Sequence, residues 1–207
     1  MLPFDFYFIT DSKLSRQDNV ADVRSALSAG AKIIQYRVKG TLGKKVLAEA
    51  QEIKQLCDET NAMLIINDSI ELCLAVNASG VHLGQDDLPL AVARKLLPDK
   101  VIGITVHNIP EAETAEKEGA DYLGVSPIFS TSTKDDAGTP CGIALLQELK
   151  QVTSLPLVAI GGITPENIGE VLESGAYGVA AISATVATNN VESAVRQFRE
   201  KITGMRK

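Results

Sequence analysis

Apolar residues in this chain fall into short, nearly unbroken runs, separated by longer segments in which they recur every three to four positions. The runs cover residues 6–10, 33–37, 63–67, 80–83, 101–105, 122–125, 157–160 and 178–182. Unbroken runs of this length predict strands covered on both faces, as in a parallel sheet. The segments between and after them, 19–29, 43–61, 69–76, 88–97, 109–118, 142–152, 165–174 and 191–203, predict helices. Thr164 is placed as an N-cap before Pro165, and Gly30, Gly119 and Gly175 follow last helical turns, where a left-handed residue is wanted.

The junctions repeat. Leu27-Ser28-Ala29-Gly30-Ala31, Glu118-Gly119-Ala120-Asp121-Tyr122 and Glu173-Ser174-Gly175-Ala176-Tyr177 each join a helix end to a strand start through glycine. Eight βα units with no linker predict a closed (β/α)8 TIM barrel, one domain over residues 1–207, with lean loops. A doubly wound open sheet is the competing arrangement. It fits less well, since no Gly-x-Gly-x-x-Gly follows the first run.

Composition narrows the function. The chain has 207 residues, a net charge of -6 and 45% hydrophobic residues. An acidic balance argues against a nucleic-acid partner. No apolar run approaches the roughly 18 residues of a membrane span, and the first residues lack the pattern of a secretory signal, so a cytoplasmic protein with no membrane partner is expected. Three scattered cysteines (Cys57, Cys73, Cys141) predict neither structural zinc nor a disulfide framework, only small core residues.

The chemistry gathers at the C-terminal ends of the predicted strands, the catalytic end of such barrels. Alternation puts Gln35, Arg37 and Lys39 on one side of the second strand and Tyr36 and Val38 on the other. The third and fourth strands end in Asn67-Asp68 and in Gly84-Gln85-Asp86-Asp87. Asp68 with Asp87, or Asp86, on neighbouring strands can share one Mg²⁺ completed by substrate phosphate and water. Against this stand plainer roles: Arg37 and Lys39 pairing with Asp68 and Asp87, or the two aspartates capping the helices that follow. Lys134 lies in a hydroxyl-rich loop after the sixth strand, read as a lid over phosphates. Gly161-Gly162 and Ile182-Ser183 follow the seventh and eighth strands, the usual phosphate site of this fold. His107, just past the fifth strand, is read as site lining or an acid–base group, and His82 as structural.

In order along nearly the whole chain, these residues resemble the thiamine phosphate synthases. The matching pieces are Gln-x-Arg-x-Lys at 35–39, Ile-Asn-Asp at 66–68, His-Leu-Gly-Gln-Asp-Asp at 82–87 and Gly-x-Thr-x-His at 103–107. They continue with Gly-x-x-Pro-Ile-Phe-x-Thr-x-Thr-Lys at 124–134, Ile-Gly-Gly-Ile at 160–163 and Ile-Ser-Ala at 182–184. The resemblance implies that hydroxymethylpyrimidine diphosphate is joined to hydroxyethylthiazole phosphate, giving thiamine phosphate and pyrophosphate, with Mg²⁺ as cofactor. It implies that Arg37, Lys39, Asn67 and Lys134 hold the diphosphate and that Asp68 and Asp87 hold the metal. Gln35, Thr105 and His107 would line the pyrimidine side, and Thr131, Thr133, Gly161, Gly162, Ile182 and Ser183 the thiazole phosphate side. Arg37, Lys39, Lys134 and Thr105 are the expected catalytic group. The implied partners are small molecules, and a homodimer is left open. Val38 stands where many members carry Glu, and Thr105 where serine is common. Thiazole tautomerases, isomerases on a similar barrel, share His107 but lack the Asn-Asp pair and the Thr-x-Thr-Lys loop. A non-catalytic thiamine-phosphate-binding protein is a further alternative, as is a generic sugar-phosphate isomerase.

Overall fold

A computed structural model describes residues 5–131, 133 and 138–206. Eight parallel strands close into a barrel in sequence order: β1 (Phe6–Ile9), β2 (Ile33–Tyr36), β3 (Met63–Asn67), β4 (Gly80–Leu83), β5 (Val101–Val106), β6 (Tyr122–Val125), β7 (Leu157–Ile160) and β8 (Gly178–Ala181), with β8 pairing back to β1. The open-sheet alternative is thereby excluded. Among the described residues the helices are α1 (Asn19–Ser28), α2 (Lys44–Glu59), α3 (Ile70–Ala75), α4 (Leu90–Leu96), α5 (Ile109–Lys117), α6 (Gly142–Val152), α7 (Ile168–Glu173), α8 (Ser183–Val186) and α9 (Val191–Met205). None is long and apolar enough to cross a membrane.

Each strand faces two apolar environments, which explains its unbroken composition. In β1, Phe6 and Phe8 join the large layer between strands and helices, while Tyr7 and Ile9 point into the barrel. The inner cluster continues through Ile33, Ile65, Tyr122, Val158 and Ala180. Val38 packs against the outer layer, as its parity requires. Large inner side chains need gaps opposite them. A Cβ on Gly103 would lie 2.0 Å from Cζ of Tyr122, and one on Gly124 2.8 Å from Cε1 of His82.

Two local features refine the expectations. Thr164 does cap the turn that opens at Pro165, its Oγ1 accepting from Glu166 N–H at 3.3 Å and its carbonyl from Ile168 N–H at 3.0 Å, although regular α7 begins only at Ile168. Asn167 turns back, accepting from Thr164 N–H at 2.8 Å and donating to Gly162 O at 3.0 Å, and so ties the helix start to the glycine loop. The short helix α8, directly after β8, is absent from the sequence reading. Its four residues are too few to show helical periodicity. Gly30, Gly119 and Gly175 do take positive φ, at 86°, 90° and 111°.

Candidate active site

Gln35 and Arg37 both face inward from the end of β2. The ladder sustains the alternation one residue past the strand, because Arg37 N–H donates to Thr10 Oγ1 at 2.9 Å and Thr10 N–H to Gln35 O at 3.0 Å. There it stops. Lys39 is exposed and does not line the cavity with Gln35 and Arg37; it stands beyond the last ladder hydrogen bonds, which end at Arg37. The partner of Arg37 is neither Asp68 nor Asp87. Its Nη1 lies 2.6 Å from Oδ2 of Asp11, just past β1, and both side chains are buried.

The first cavity opens at the C-terminal end of the barrel. Its polar lining is Tyr7, Gln35, Arg37, Asn67, His82, Thr105, His107, Tyr122 and Ser126. A chain of hydrogen bonds runs across it. Gln35 Nε2 donates to Tyr7 Oη at 3.0 Å, the Tyr7 and Tyr122 hydroxyls meet at 2.9 Å, and Tyr122 Oη meets His82 Nδ1 at 2.9 Å. His82 Nε2 then meets Thr105 Oγ1 at 2.9 Å. Burial pushes both phenols well above the usual tyrosine range, which keeps their protons in place. His82, read as structural, is also part of the cavity wall. His107 sits at the rim, its backbone N–H and Nδ1 on Glu111 Oε2 at 2.8 and 3.0 Å.

The two aspartates do not cap helices. Ser69 caps α3, accepting from Leu72 N–H at 3.0 Å, and α4 starts after Pro89 with no side-chain cap. Asp68 instead takes the left-handed conformation, with φ of 63°, and stands exposed at the end of β3, its N–H on His82 O at 2.9 Å. A non-glycine residue in that conformation is held there by its surroundings, a common trait of functional positions. Asp87 Oδ2 accepts from Gly84 N–H at 2.6 Å, which aligns the turn after β4; Asp86 is exposed. No cluster of three or more metal-ligating side chains occurs among the described residues. Two carboxylates on neighbouring strands suit Mg²⁺ whose remaining positions come from phosphate and water.

A second cavity adjoins the first and shares Ser126, Ile160 and Ile182 with it. Thr131, Thr133, Gly161, Gly162, Ile163, Ala181 and Ser183 complete its wall. Thr131 Oγ1 lies 3.3 Å from both the N–H and the Oγ1 of Thr133. Gly161 and Gly162 have φ of 106° and 63°. Their missing side chains make room chiefly for the loop after β6: a Cβ on Gly161 would lie 2.7 Å from Pro127 Cβ, and one on Gly162 2.7 Å from Ser130 O. Ile128 and Phe129 N–H groups bond Ile160 and Gly161 carbonyls at 2.9 and 3.0 Å, so β7 and this loop form one unit. Lys134 lies outside the described residues.

Asp11, Tyr7 and Tyr122 were not anticipated at the site. Asp11 carries a usable signal, since it ends the first run as Asp68 ends the third. Tyr7 and Tyr122 look like ordinary core residues until the barrel closes.

A sequence profile described as thiamine monophosphate synthase matches residues 6–185. The chain belongs to that family. It is 48% identical over 204 residues to a thiamine-phosphate synthase of Methanosarcina barkeri, covering 98% of this chain and 92% of the relative. It is 44% identical to one from Chloroflexus aurantiacus, covering 95% and 92%. A solved thiamine phosphate pyrophosphorylase from Pyrococcus furiosus superposes with a TM-score of 0.90 at 36% identity, covering 98% of this chain and 96% of that one. The solved relative thus shares the barrel with this chain, and the sequence relatives share nearly its full length.

Proposed function

We propose that the chain is a transferase that joins hydroxymethylpyrimidine diphosphate to hydroxyethylthiazole phosphate, releasing pyrophosphate and thiamine phosphate. The observation that carries the reading is the pair of adjoining cavities with a common wall at Ser126, Ile160 and Ile182. One has an amide, hydroxyls, imidazoles and a buried guanidinium, suited to a heteroaromatic ring bearing diphosphate. The other has hydroxyls and a glycine turn, suited to a phosphate ester. An isomerase acting on one substrate would leave one cavity without a task.

In this reading Gln35, Thr105 and His107 orient the pyrimidine. Arg37 and Asn67 meet the inner part of its diphosphate and Lys39, exposed past β2, the outer part; Lys134 is assigned to the diphosphate from the sequence pattern alone. Asp68 and Asp87 would hold Mg²⁺, which when bound neutralises charge on the diphosphate. Thr131, Thr133, Gly161, Gly162, Ile182 and Ser183 hold the thiazole phosphate. The bond from the methylene carbon to the diphosphate oxygen breaks with its electron pair leaving on the diphosphate. The thiazole nitrogen lone pair then forms the new carbon–nitrogen bond. No step needs a protein nucleophile, so fixed charge around the leaving group supplies the catalysis. Incubation with both substrates and Mg²⁺ should yield thiamine phosphate and pyrophosphate in equal amounts; absence of both products would refute the assignment. Within it, an electron-withdrawing substituent on the pyrimidine should slow the reaction steeply, and a rate insensitive to it would remove the dissociative order of events.

A further inference from the structure

The reaction as proposed gives His82 no task, yet its ring stands in the wall of the first cavity with both nitrogens engaged. Nδ1 meets Tyr122 Oη and Nε2 meets Thr105 Oγ1, each at 2.9 Å. The barrel is built to admit this arrangement. Gly103 clears the space that Tyr122 fills and Gly124 the space beside His82, and the two rings stack with centroids 5.5 Å apart. Inward-facing positions of small barrels ordinarily hold branched apolar residues. A polar chain in their place is tolerated only when its members are satisfied, and it then fixes one arrangement of donors and acceptors.

Proton counting gives that arrangement a direction. A phenol has one proton. Gln35 Nε2 donates to Tyr7 Oη; either phenol can supply the proton of the Tyr7–Tyr122 bond, and the direction continuous with the Gln35 bond has Tyr7 donating. The Tyr122 proton then serves the bond to His82 Nδ1, and burial keeps both phenols protonated. With Nδ1 accepting, the imidazole proton sits on Nε2 and is donated to Thr105 Oγ1. The Thr105 hydroxyl proton is left for the cavity, and Gln35, with Nε2 committed to Tyr7, presents its carbonyl.

We propose that His82 is a positioning residue for pyrimidine recognition: held as the neutral Nε2–H tautomer, it makes the Thr105 hydroxyl a donor to a ring nitrogen, while the other end of the same chain makes Gln35 an acceptor for the exocyclic amine. The pyrimidine of thiamine carries that pairing of donor and acceptors. This inference rests on the proposed reaction for the identity of the ring, but not for the polarity of the chain.

The polarity is read without turnover. The protein has two histidines, so ¹⁵N spectra of histidine-labelled protein contain two imidazoles, and His107→Asn assigns them. His82 should be neutral and protonated at Nε2 near pH 7.5. A proton on Nδ1, or an imidazolium, overturns the proposal. Kinetics tests the consequence. His82→Leu should raise KM for the pyrimidine diphosphate about tenfold, the effect of one hydrogen bond, and leave KM for the thiazole phosphate within about twofold. His82→Gln, whose amide can donate to Thr105, should recover most of the loss. In a Thr105→Val background, His82→Leu should cost nothing further. An undiminished cost there, or an equal rise in both KM values, overturns the positioning role. Failure of the wild-type protein to form thiamine phosphate would overturn the proposed reaction, with the spectrum still deciding the polarity.

Discussion

Arg37 and Asp11 form a buried ion pair, Nη1 to Oδ2 at 2.6 Å, across the ends of β2 and β1. Asp11 is itself held, its Oδ1 accepting from Lys13 and Leu14 N–H at 3.0 and 3.3 Å. The guanidinium is thus aimed before any ligand arrives, and Asp11 offsets its desolvation. Asp11→Asn keeps an oxygen for the turn but removes the charge. Losing one partner of a buried pair costs about 3 kcal/mol, or a fall in Tm of roughly 6–12 °C. Inorganic pyrophosphate should then raise Tm more in the variant than in the wild type, since it restores the missing negative charge. An unchanged Tm with equal ligand shifts would mean that the pair does not orient Arg37.

Asp68 provides a cleaner test of the metal assignment than an alanine scan. Its φ of 63° is one that Asn also tolerates, so Asp68→Asn should fold normally. Turnover should fall at least ~100-fold, the scale of losing one transition-state electrostatic contact. The Mg²⁺ concentration needed for half-maximal rate should rise with it. A variant with unaltered rate and metal dependence would remove Asp68 from the metal site.

Gly161→Ala should damage one cavity more than the other. The new Cβ meets Pro127 at 2.7–2.8 Å, on a backbone whose φ of 106° disfavours any side chain. Backbone strain and overpacking together should cost about 2 kcal/mol. The loop after β6 must then move, and Thr131 and Thr133 with it. KM for the thiazole phosphate should rise while KM for the pyrimidine diphosphate changes little. Equal effects on both would show that β7 and the loop do not act as the unit described.

Asp22, on α1, predicts a pH dependence of stability. It is buried on α1, its Oδ2 lacks a hydrogen-bond partner among the described residues, and burial raises its pKa from the usual value. A raised pKa in the folded state means stability present below the ordinary aspartate pKa and lost as pH rises through the folded value. At pH 7 the cost of the charged form is in place. Asp22→Asn should therefore stabilise the protein at pH 7 by about 1 kcal/mol, or roughly 2–4 °C in Tm, with a smaller gain at pH 4. An equal gain at both pH values would show that the carboxylate charge is not the cause.

Local pattern alone determined the eight strands, most of the helices and the glycine stops. Each of these depends on residues within one or two turns of one another, and the unbroken apolar runs already imply two covered faces. Parity along a single strand also determined that Gln35 and Arg37 share a face. Parity did not determine that Lys39 stands outside the cavity, because the run does not mark where the ladder ends. The partners were decided by closure. Tyr7 and Tyr122 are 115 residues apart and meet only because β1 and β6 face each other across a closed barrel. Asp11 reaches Arg37 because the β1–β2 register sets Ile9 opposite Gln35. The Gly103 and Gly124 gaps acquire meaning only when the neighbouring strand supplies the ring that fills each one. Sequence periodicity encodes which face a residue takes, while the contacts across the barrel follow from the register and curvature of all eight strands together.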